Sequence, residues 1–295
     1  MDFRRLQYFL AVHRRGSFLK AASSLGLTQP ALSRQIALLE RELGRKIFLR
    51  TAAGVHLTPD GQRLLPHALE MEDLWRGIRD IFAEDSKLEG SYTISCGGTI
   101  SAFIVPQAAR RIRDVHEKLA LRVIEGDAYS TLHAVTDGEA DLGILSGRPD
   151  VPGLQTEFFF KDRIVLAAAA RHPAAKKRSL RPEQLRTYDF VLFHPASAVR
   201  QAVDLQMRSL RLEWKPSVTM EVRSLETAIR SIESGAGIGF ISSLALSRSV
   251  RRLACAEMET DRDFFFCYRR KSRATEEIIR LIRNVSAKKT GVRAE

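Results

Sequence analysis

The sequence is poor in cysteine, with three in 295 residues, Cys96, Cys255 and Cys267. Their wide spacing excludes a disulfide framework and a zinc-binding pattern, and fits a chain kept reduced in the cytoplasm. Long apolar runs are missing as well. The longest is Ile164–Ala170, far below the ~18 residues a membrane span needs, so no membrane partner is expected. Asp2, Gln7 and His13 interrupt any stretch resembling a signal peptide. None of the seven histidines forms an i, i+4 pair, and no phosphate-binding loop occurs. Nothing here supports catalysis, a bound metal or a cofactor, and none is expected.

What is present is positive charge, unevenly placed. The net charge is +12. Residues 1–65 carry 11 Lys and Arg against 4 Asp and Glu, residues 66–268 carry 27 against 28, and residues 269–295 carry 9 against 3. A basic head on a nearly neutral body points to a polyanion at the head. Charge alone leaves open a solvated basic face. For the tail, with Arg269-Arg270-Lys271, Arg280, Arg283, Lys288 and Lys289, the expectation is a solvated helix face and a frayed end. The length predicts two or three domains, and 44% apolar with 28% charged residues predicts a soluble globular fold.

The first fifty residues read as three short helices. Phe3, Leu6, Phe9, Leu10 and His13 recur at helical spacing up to Gly16. Ser17 caps a second helix with inner face Phe18, Ala21, Ala22 and Leu25, stopped by Gly26. Thr28 caps a third, with Pro30 just inside, that buries Leu32, Ile36, Leu39 and Leu43. Its early opposite face carries Gln29, Ser33 and Arg34. A helix, a glycine turn and a helix with a polar N-terminal face is the helix-turn-helix arrangement for reading a major groove. Arg34 suits guanine, Gln29 adenine and Ser33 either type, while Pro30 can pack on a thymine methyl.

Residues 46–57 read as a two-stranded wing, with Arg50 at its flank able to reach the DNA backbone or minor groove. Thr58 and Pro59 open a helix over roughly 59–86. There Leu64, Ala68, Met71, Trp75, Ile78 and Phe82 form a heptad seam, the pattern of paired helices. Leu65, Leu69, Leu74 and Ile81 widen the apolar face, and Pro66 removes one internal hydrogen bond.

The run from Phe18 to Ile36, with Leu38-Leu39-Glu40-Arg41-Glu42-Leu43-Gly44, Phe48-Leu49-Arg50 and Leu57-Thr58-Pro59-Asp60-Gly61, closely resembles the LysR-type transcriptional regulators. The resemblance implies a winged helix-turn-helix with Gln29, Pro30, Ser33 and Arg34 at base-reading positions. Ala52-Ala53 departs from it, because many members carry a basic wing residue there.

From Ser91 the pattern changes to strands alternating with helices. Strands are expected at Tyr92–Cys96, Leu119–Glu125, Asp141–Leu145, Ile164–Ala169, Phe190–Phe193, Val218–Val222, Gly237–Ile241 and Phe264–Tyr268, with one helix over Ser101–His116 and another over Thr275–Val285. Two such series predict two lobes with parallel-type sheets. Asp137–Leu142 and Ser234–Phe240 are similar to stretches of LysR-type effector domains. That likeness implies a two-lobed fold resembling periplasmic solute-binding proteins, whose last strand and helix return to the first lobe.

The expected fold is thus α+β and multidomain: a winged helix-turn-helix at 1–58, a linker helix at 59–90 and a two-lobed α/β effector domain at 91–295. Lobe I comprises 91–162 and 264–295, and lobe II 163–263. Ligands in such folds sit beyond the carboxyl ends of strands. The candidates for a small-molecule effector are therefore Thr99 and Ser101 at a helix start, then Gly126, Asp127, Ser146, His194, Ser197 and Ser224. Ordinary capping is the competing reading of Thr99, Ser197 and Ser224. Cys96, ending the first strand, reads as a small buried residue ahead of a redox group.

Two motif matches fail. Ser17-Phe18-Leu19-Lys20 and Lys289-Thr290-Gly291 fit penicillin-recognising enzymes, but Asn284 is the one asparagine and no Ser-Asp-Asn exists. Gly235-Ala236-Gly237-Ile238-Gly239 follows a helix and precedes a strand, the reverse of a dinucleotide loop. The sequence therefore predicts a non-enzymatic regulator of transcription. Its expected partners are double-stranded DNA through Thr28, Gln29, Pro30, Ser33, Arg34 and Arg50; itself, as dimer or tetramer, through Leu64, Met71, Trp75, Ile78 and Phe82; and RNA polymerase. The rival is a cytosolic solute-binding or enzymatic α/β protein with an incidental basic head.

Overall fold

The computed structural model describes residues 2–52, 54–82 and 87–290, the last three without their side chains. The wing tip at Ala53, the end of the expected linker helix at 83–86 and the side chains of Lys288 and Lys289 lie outside the described residues. Two compact units result. One spans the described residues up to 82 and takes in Thr136–Glu139; the other holds the rest from Lys87 onward.

In the first unit, α1 (Phe3–Arg15), α2 (Phe18–Ser24) and α3 (Gln29–Leu43) pack with a hairpin of β1 (Phe48–Thr51) and β2 (Gly54–Leu57). Each helix is capped by the residue its sequence offers. Asp2, Ser17 and Thr28 accept from Arg4, Lys20 and Ala31 backbone N–H groups at 3.0, 3.4 and 3.4 Å. Gly16 and Gly44 end α1 and α3 in the left-handed region. Leu6, Phe9, Leu10, Phe18, Leu32, Ile36, Leu39 and Ile47 form the core. Leu43, expected inside, is exposed, because it belongs to the last turn, beyond the helices that cover α3.

Helix α4 (Pro59–Ile81) starts at the capping hydroxyl of Thr58, which accepts from the Gly61 N–H at 3.0 Å, and runs unbroken through Pro66. Its heptad seam divides. Leu65, Ala68 and Leu69 are buried in the core of the unit, with Leu64 packed against it. Met71, Leu74, Trp75, Ile78, Ile81 and Phe82 are exposed. Gly61 is required: a Cβ there would lie 2.2 Å from the Ile47 carbonyl oxygen.

The second unit contains β3 (Gly90–Cys96), α5 (Gly98–Phe103), α6 (Val105–Val115), β4 (Leu119–Glu125), α7 (Ala128–Thr136), β5 (Leu142–Ser146), β6 (Gln155–Ala169), β7 (Asp189–Phe193), α8 (Ala198–Ser209), β8 (Ser217–Val222), α9 (Leu225–Ser234), β9 (Ile238–Ser242), β10 (Val250–Arg252), β11 (Thr260–Tyr268) and α10 (Arg273–Thr290). The expected single helix over Ser101–His116 is two, broken at Ile104, the second turn starting anew around Pro106. Strand order is β4-β3-β5-β11-β6-β9-β7-β8, with β10 beside β6.

The expectation of two parallel-type sheets holds for the outer strands only. Pairs β3/β4, β3/β5, β7/β8 and β7/β9 are parallel, whereas β6 and β11 run antiparallel along their length and join both halves into one ladder. Two cores flank this seam. Phe159, Phe160, Phe264 and Phe266 belong to one, with Tyr92, Ile94 and Ile282. Ile164, Leu166 and Met258 belong to the other, with Phe190, Ile232 and Phe240. Strand β6 thus changes cores between Phe160 and Ile164.

Candidate functional site

The polar face of α3 stands clear of the head's core. Gln29, Pro30 and Arg34 are exposed and Ser33 is half-buried, while Leu32, Ile36 and Leu39 point the other way. Thr28 is an exposed cap. Arg50 leans from the hairpin onto this surface: its guanidinium sits 4.2 Å from the Phe18 ring centre and donates to Ser33 Oγ at 3.2 Å. The wing strand's Arg50 and helix α3's Arg34 are therefore both exposed, with Arg50 joined to α3 at Ser33.

A second concave site lies in the second unit, a cleft of about 280 Å³. One wall comes from the ends of β3, β4 and β5, with Thr99, Gly126, Asp127 and Ser146; the facing wall carries His194 and Ser197. Six of the eight residues expected from sequence thus line one cavity. Ser101 and Ser224 do not line it. Ser101 lies two residues past Thr99, about half a turn around α5, and Ser224 caps α9 by accepting from the Thr227 N–H at 3.5 Å. The two walls approach closely at Gly98, where a Cβ would meet Leu225 Cβ and Glu125 Oε1, each at 3.3 Å.

The cleft also contains three charged residues that sequence reasoning missed, Glu125, Arg223 and Arg262. Arg223 meets His194 Nε2 at 3.0 Å. Asp127 accepts from the Ser130 N–H and hydroxyl at 2.8 and 2.7 Å, and these bonds, aided by Arg223, hold its carboxyl below the usual range. Arg262 is the most deeply set, its side chain 10% exposed. Its Nε donates to Asp162 Oδ2 at 2.9 Å and its Nη2 to Thr99 Oγ1 at 2.9 Å. The other Asp162 oxygen accepts from the Ser242 hydroxyl at 2.6 Å. Burial pulls the guanidinium pKa down, and Asp162 opposes that.

A signal for Arg262 exists in the sequence. Lys161-Asp162-Arg163 and Asp261-Arg262-Asp263 are complementary charge triplets, and in the antiparallel ladder Lys161 faces Asp263, Asp162 faces Arg262 and Arg163 faces Asp261. Strand alternation turns the central pair inward while Arg163 and Asp261 pair outside at 2.9 Å.

Cys96, at the end of β3, is fully buried, and burial, with Glu125 adding to it, pushes its thiol up to about 12. Among the described residues no group of three or more His, Cys, Asp or Glu could hold a metal ion. No described helix is long and apolar enough to cross a membrane.

Both units of the chain match known family models. Residues 3–62 match the bacterial regulatory helix-turn-helix protein, lysR family, and residues 85–288 match the LysR substrate binding domain. The chain belongs to the LysR family. It is 30% identical over 255 residues to the HTH-type transcriptional regulator CfxR of Cupriavidus necator, covering 85% of this chain and 78% of that one. It is 29% identical over 245 residues to the regulator YbhD of Escherichia coli, covering 82% and 76%. Full-length OxyR from Pseudomonas aeruginosa has the same fold, with a TM-score of 0.81 at 24% identity over 97% of this chain and 96% of that one. The effector binding domain of QuiR in complex with shikimate covers 68% of this chain and 99% of its own length, at a TM-score of 0.58 and 20% identity. The chain is thus a LysR-type helix-turn-helix regulator with a substrate-binding domain.

Proposed function

We propose that this LysR-type chain recognises specific DNA sequences as a paired molecule and that a small molecule in the cleft modulates it. The observation that carries the reading is the surface of α3: Gln29, Pro30 and Arg34 exposed at the start of a capped helix whose opposite side is core. A surface of that shape fits a major groove, and Arg34 and Gln29 supply bidentate groups for guanine and adenine. Arg50, braced on Phe18 and Ser33, adds a phosphate contact beside it.

In the proposed division, residues 1–58 read DNA, 59–90 pair two copies and 91–295 sense the effector. Exposed Met71, Trp75, Ile78 and Phe82 support the pairing role, because so contiguous an apolar surface is costly to leave in water. Two heads held apart by paired α4 helices would read two half-sites. The effector would act by binding one arrangement of the assembly more tightly than another, changing DNA geometry and contact with RNA polymerase on the nucleoid.

Selection from a random duplex library tests the reading. The wild-type protein should enrich a two-fold symmetric sequence, and Arg34→Ala should relax the preference at one position per half-site. Recovery of no consensus, or of the same consensus with Arg34→Ala, would defeat the assignment.

A further inference from the structure

We propose that the second unit carries its own contact for the phosphate backbone of duplex DNA, built from two cationic segments, 170–181 and 247–254. The proposal rests on the DNA-binding reading above and adds a contact that reads no sequence. The first segment holds Arg171, Lys176, Lys177, Arg178 and Arg181. The second holds Arg248, Arg251 and Arg252, and neither contains Asp or Glu. Without these eight cations, residues 66–268 would carry 19 Lys and Arg against 28 Asp and Glu. Positive charge is thus gathered here on a body that is otherwise acidic.

The fold fastens the two segments side by side. Strand β10 pairs with the end of β6, Val250 facing Ala169. The first segment leaves β6 there, and both of its ends are tied to the second. The Ala170 N–H donates to the Ser249 carbonyl at 2.8 Å, and the Leu180 N–H to the Ala254 carbonyl at 2.7 Å. Ala174, Leu180, Val250 and Leu253 are buried in one core, while all eight cations are exposed. The charges therefore stand on an anchored backbone, which binding need not order first. Arg252 pairs with Glu259 at 2.7 Å. None of the other seven has a carboxylate within 4.0 Å among the described residues. Arg171 donates to the Ser234 carbonyl at 2.9 Å and Lys177 lies 5.7 Å from the Tyr188 ring centre, neutral partners that leave each charge in place. Glu233 is engaged by Arg230 and Ser249, and Glu183 and Glu257 lie just beyond the segments' ends.

What the segments lack names the partner. No large apolar side chain is exposed in either of them. The centre of a protein interface is enriched in aromatic residues and depleted in Lys. A membrane surface needs apolar side chains to insert, and a single strand needs aromatic rings on which its bases stack. Lys and Arg alone suit a duplex backbone, which carries one charge per ~1.7 Å of its axis and takes most of its contacts from such side chains. Because one chain carries both these segments and α3, each added contact strengthens binding without holding DNA alone.

Binding of the full-length protein to two duplexes across a salt series tests this. One duplex is just long enough for the selected sequence, and the other carries that sequence within unrelated flanks. The wild type should bind the longer duplex more tightly and with a steeper salt dependence. Lys176→Gln, Lys177→Gln and Arg178→Gln together should make the log–log salt slope on the longer duplex shallower by about 2 to 3, at about 0.9 per phosphate contact, and weaken Kd there by about tenfold or more. Binding to the short duplex and the preference for the selected sequence should stay as in the wild type. Arg248→Gln with Arg251→Gln gives the same reading from the other segment should the triple variant fold poorly, with a slope change of about 1 to 2. Wild-type slope and Kd on the longer duplex in both variants overturn the proposal. So do variants that bind both duplexes normally yet lose RNA polymerase in a pull-down, which assigns the segments to an acidic protein face. A wild type with the length effect but no sequence preference defeats the α3 reading and leaves this one standing.

Discussion

Single residues decide what this molecule can and cannot react with. Cys96, Cys255 and Cys267 are all buried, and burial raises their thiols to about 12, 11 and 12. A thiol reagent at about pH 8 should label none of them in the folded protein and three per chain after denaturation, since the thiolate is the reactive form. Labelling of Cys96 at the rate of a free thiol would contradict its placement. Gly61 offers a packing test. Gly61→Ala drives a methyl into the Ile47 carbonyl, so α4 must shift, at a cost of about 1–3 kcal/mol by chemical denaturation. What was legible at this scale was residue type at strand ends, which brought Thr99, Asp127 and His194 to one cleft. Arg262 was not, because a lone charged triplet before Phe264 reads as a loop until its complement on β6 is aligned with it.

At the scale of elements, periodicity carried furthest where one helix has one neighbour. α1, α2 and α3 have caps, glycine stops and inward faces that local sequence states outright. α4 shows why a seam can mislead: its heptad positions are one pattern, yet Ala68 packs on the head and Phe82 is exposed. The partner of an apolar stripe is a tertiary fact. Trp75 leans on Phe3 with ring centres 5.7 Å apart, so Ile78 is the cleaner probe of pairing. Ile78→Glu should weaken self-association by about 2 kcal/mol or more if that face is central to an interface, read by sedimentation, with the melting of the head unchanged. Association at wild-type strength would remove α4 from the assembly. The long β6 and β11 escaped the sequence pattern for a related reason. Their facing segments carry Lys161–Arg163 and Asp261–Asp263, charges that break an apolar run although they pair across the ladder.

Across the whole molecule, the excess of positive charge separates into two uses. In the head, Arg34 lies on an open helix face with Arg50 beside it, while Arg5, Arg14 and Lys46 pair with Glu42, Glu72 and Glu40. In the tail, where a solvated helix face was expected, four of the described cations have partners within their own unit although Lys271 and Arg280 are exposed. Arg269 donates to the Val135 carbonyl at 2.8 Å, Arg280 pairs with Glu277, and Lys271 and Arg283 converge on Glu157 at 3.1 and 3.3 Å. Burial raises the Glu157 carboxyl, but Tyr268, Lys271 and Arg283 outweigh it and hold its pKa below the ordinary 4.5. A depressed acid stabilises the fold above its unfolded pKa and loses that contribution as pH falls through the folded value. Melting temperature should therefore drop between about pH 5 and pH 3, and Glu157→Gln should flatten part of that drop.

The central claim is that α3 reads DNA sequence with Arg34. Its most direct test is equilibrium binding of the full-length protein to its selected duplex and to a scrambled one, across a salt series, with Arg34→Ala alongside. For the wild type, binding to both duplexes should fall steeply with salt as counterions are released, with the selected duplex preferred by about 10³-fold or more. Loss of one bidentate base contact in each half-site should cut that preference in Arg34→Ala by about 5- to 150-fold per site. A variant that keeps the wild-type preference, or a wild type that binds both duplexes equally with no salt dependence, would contradict it.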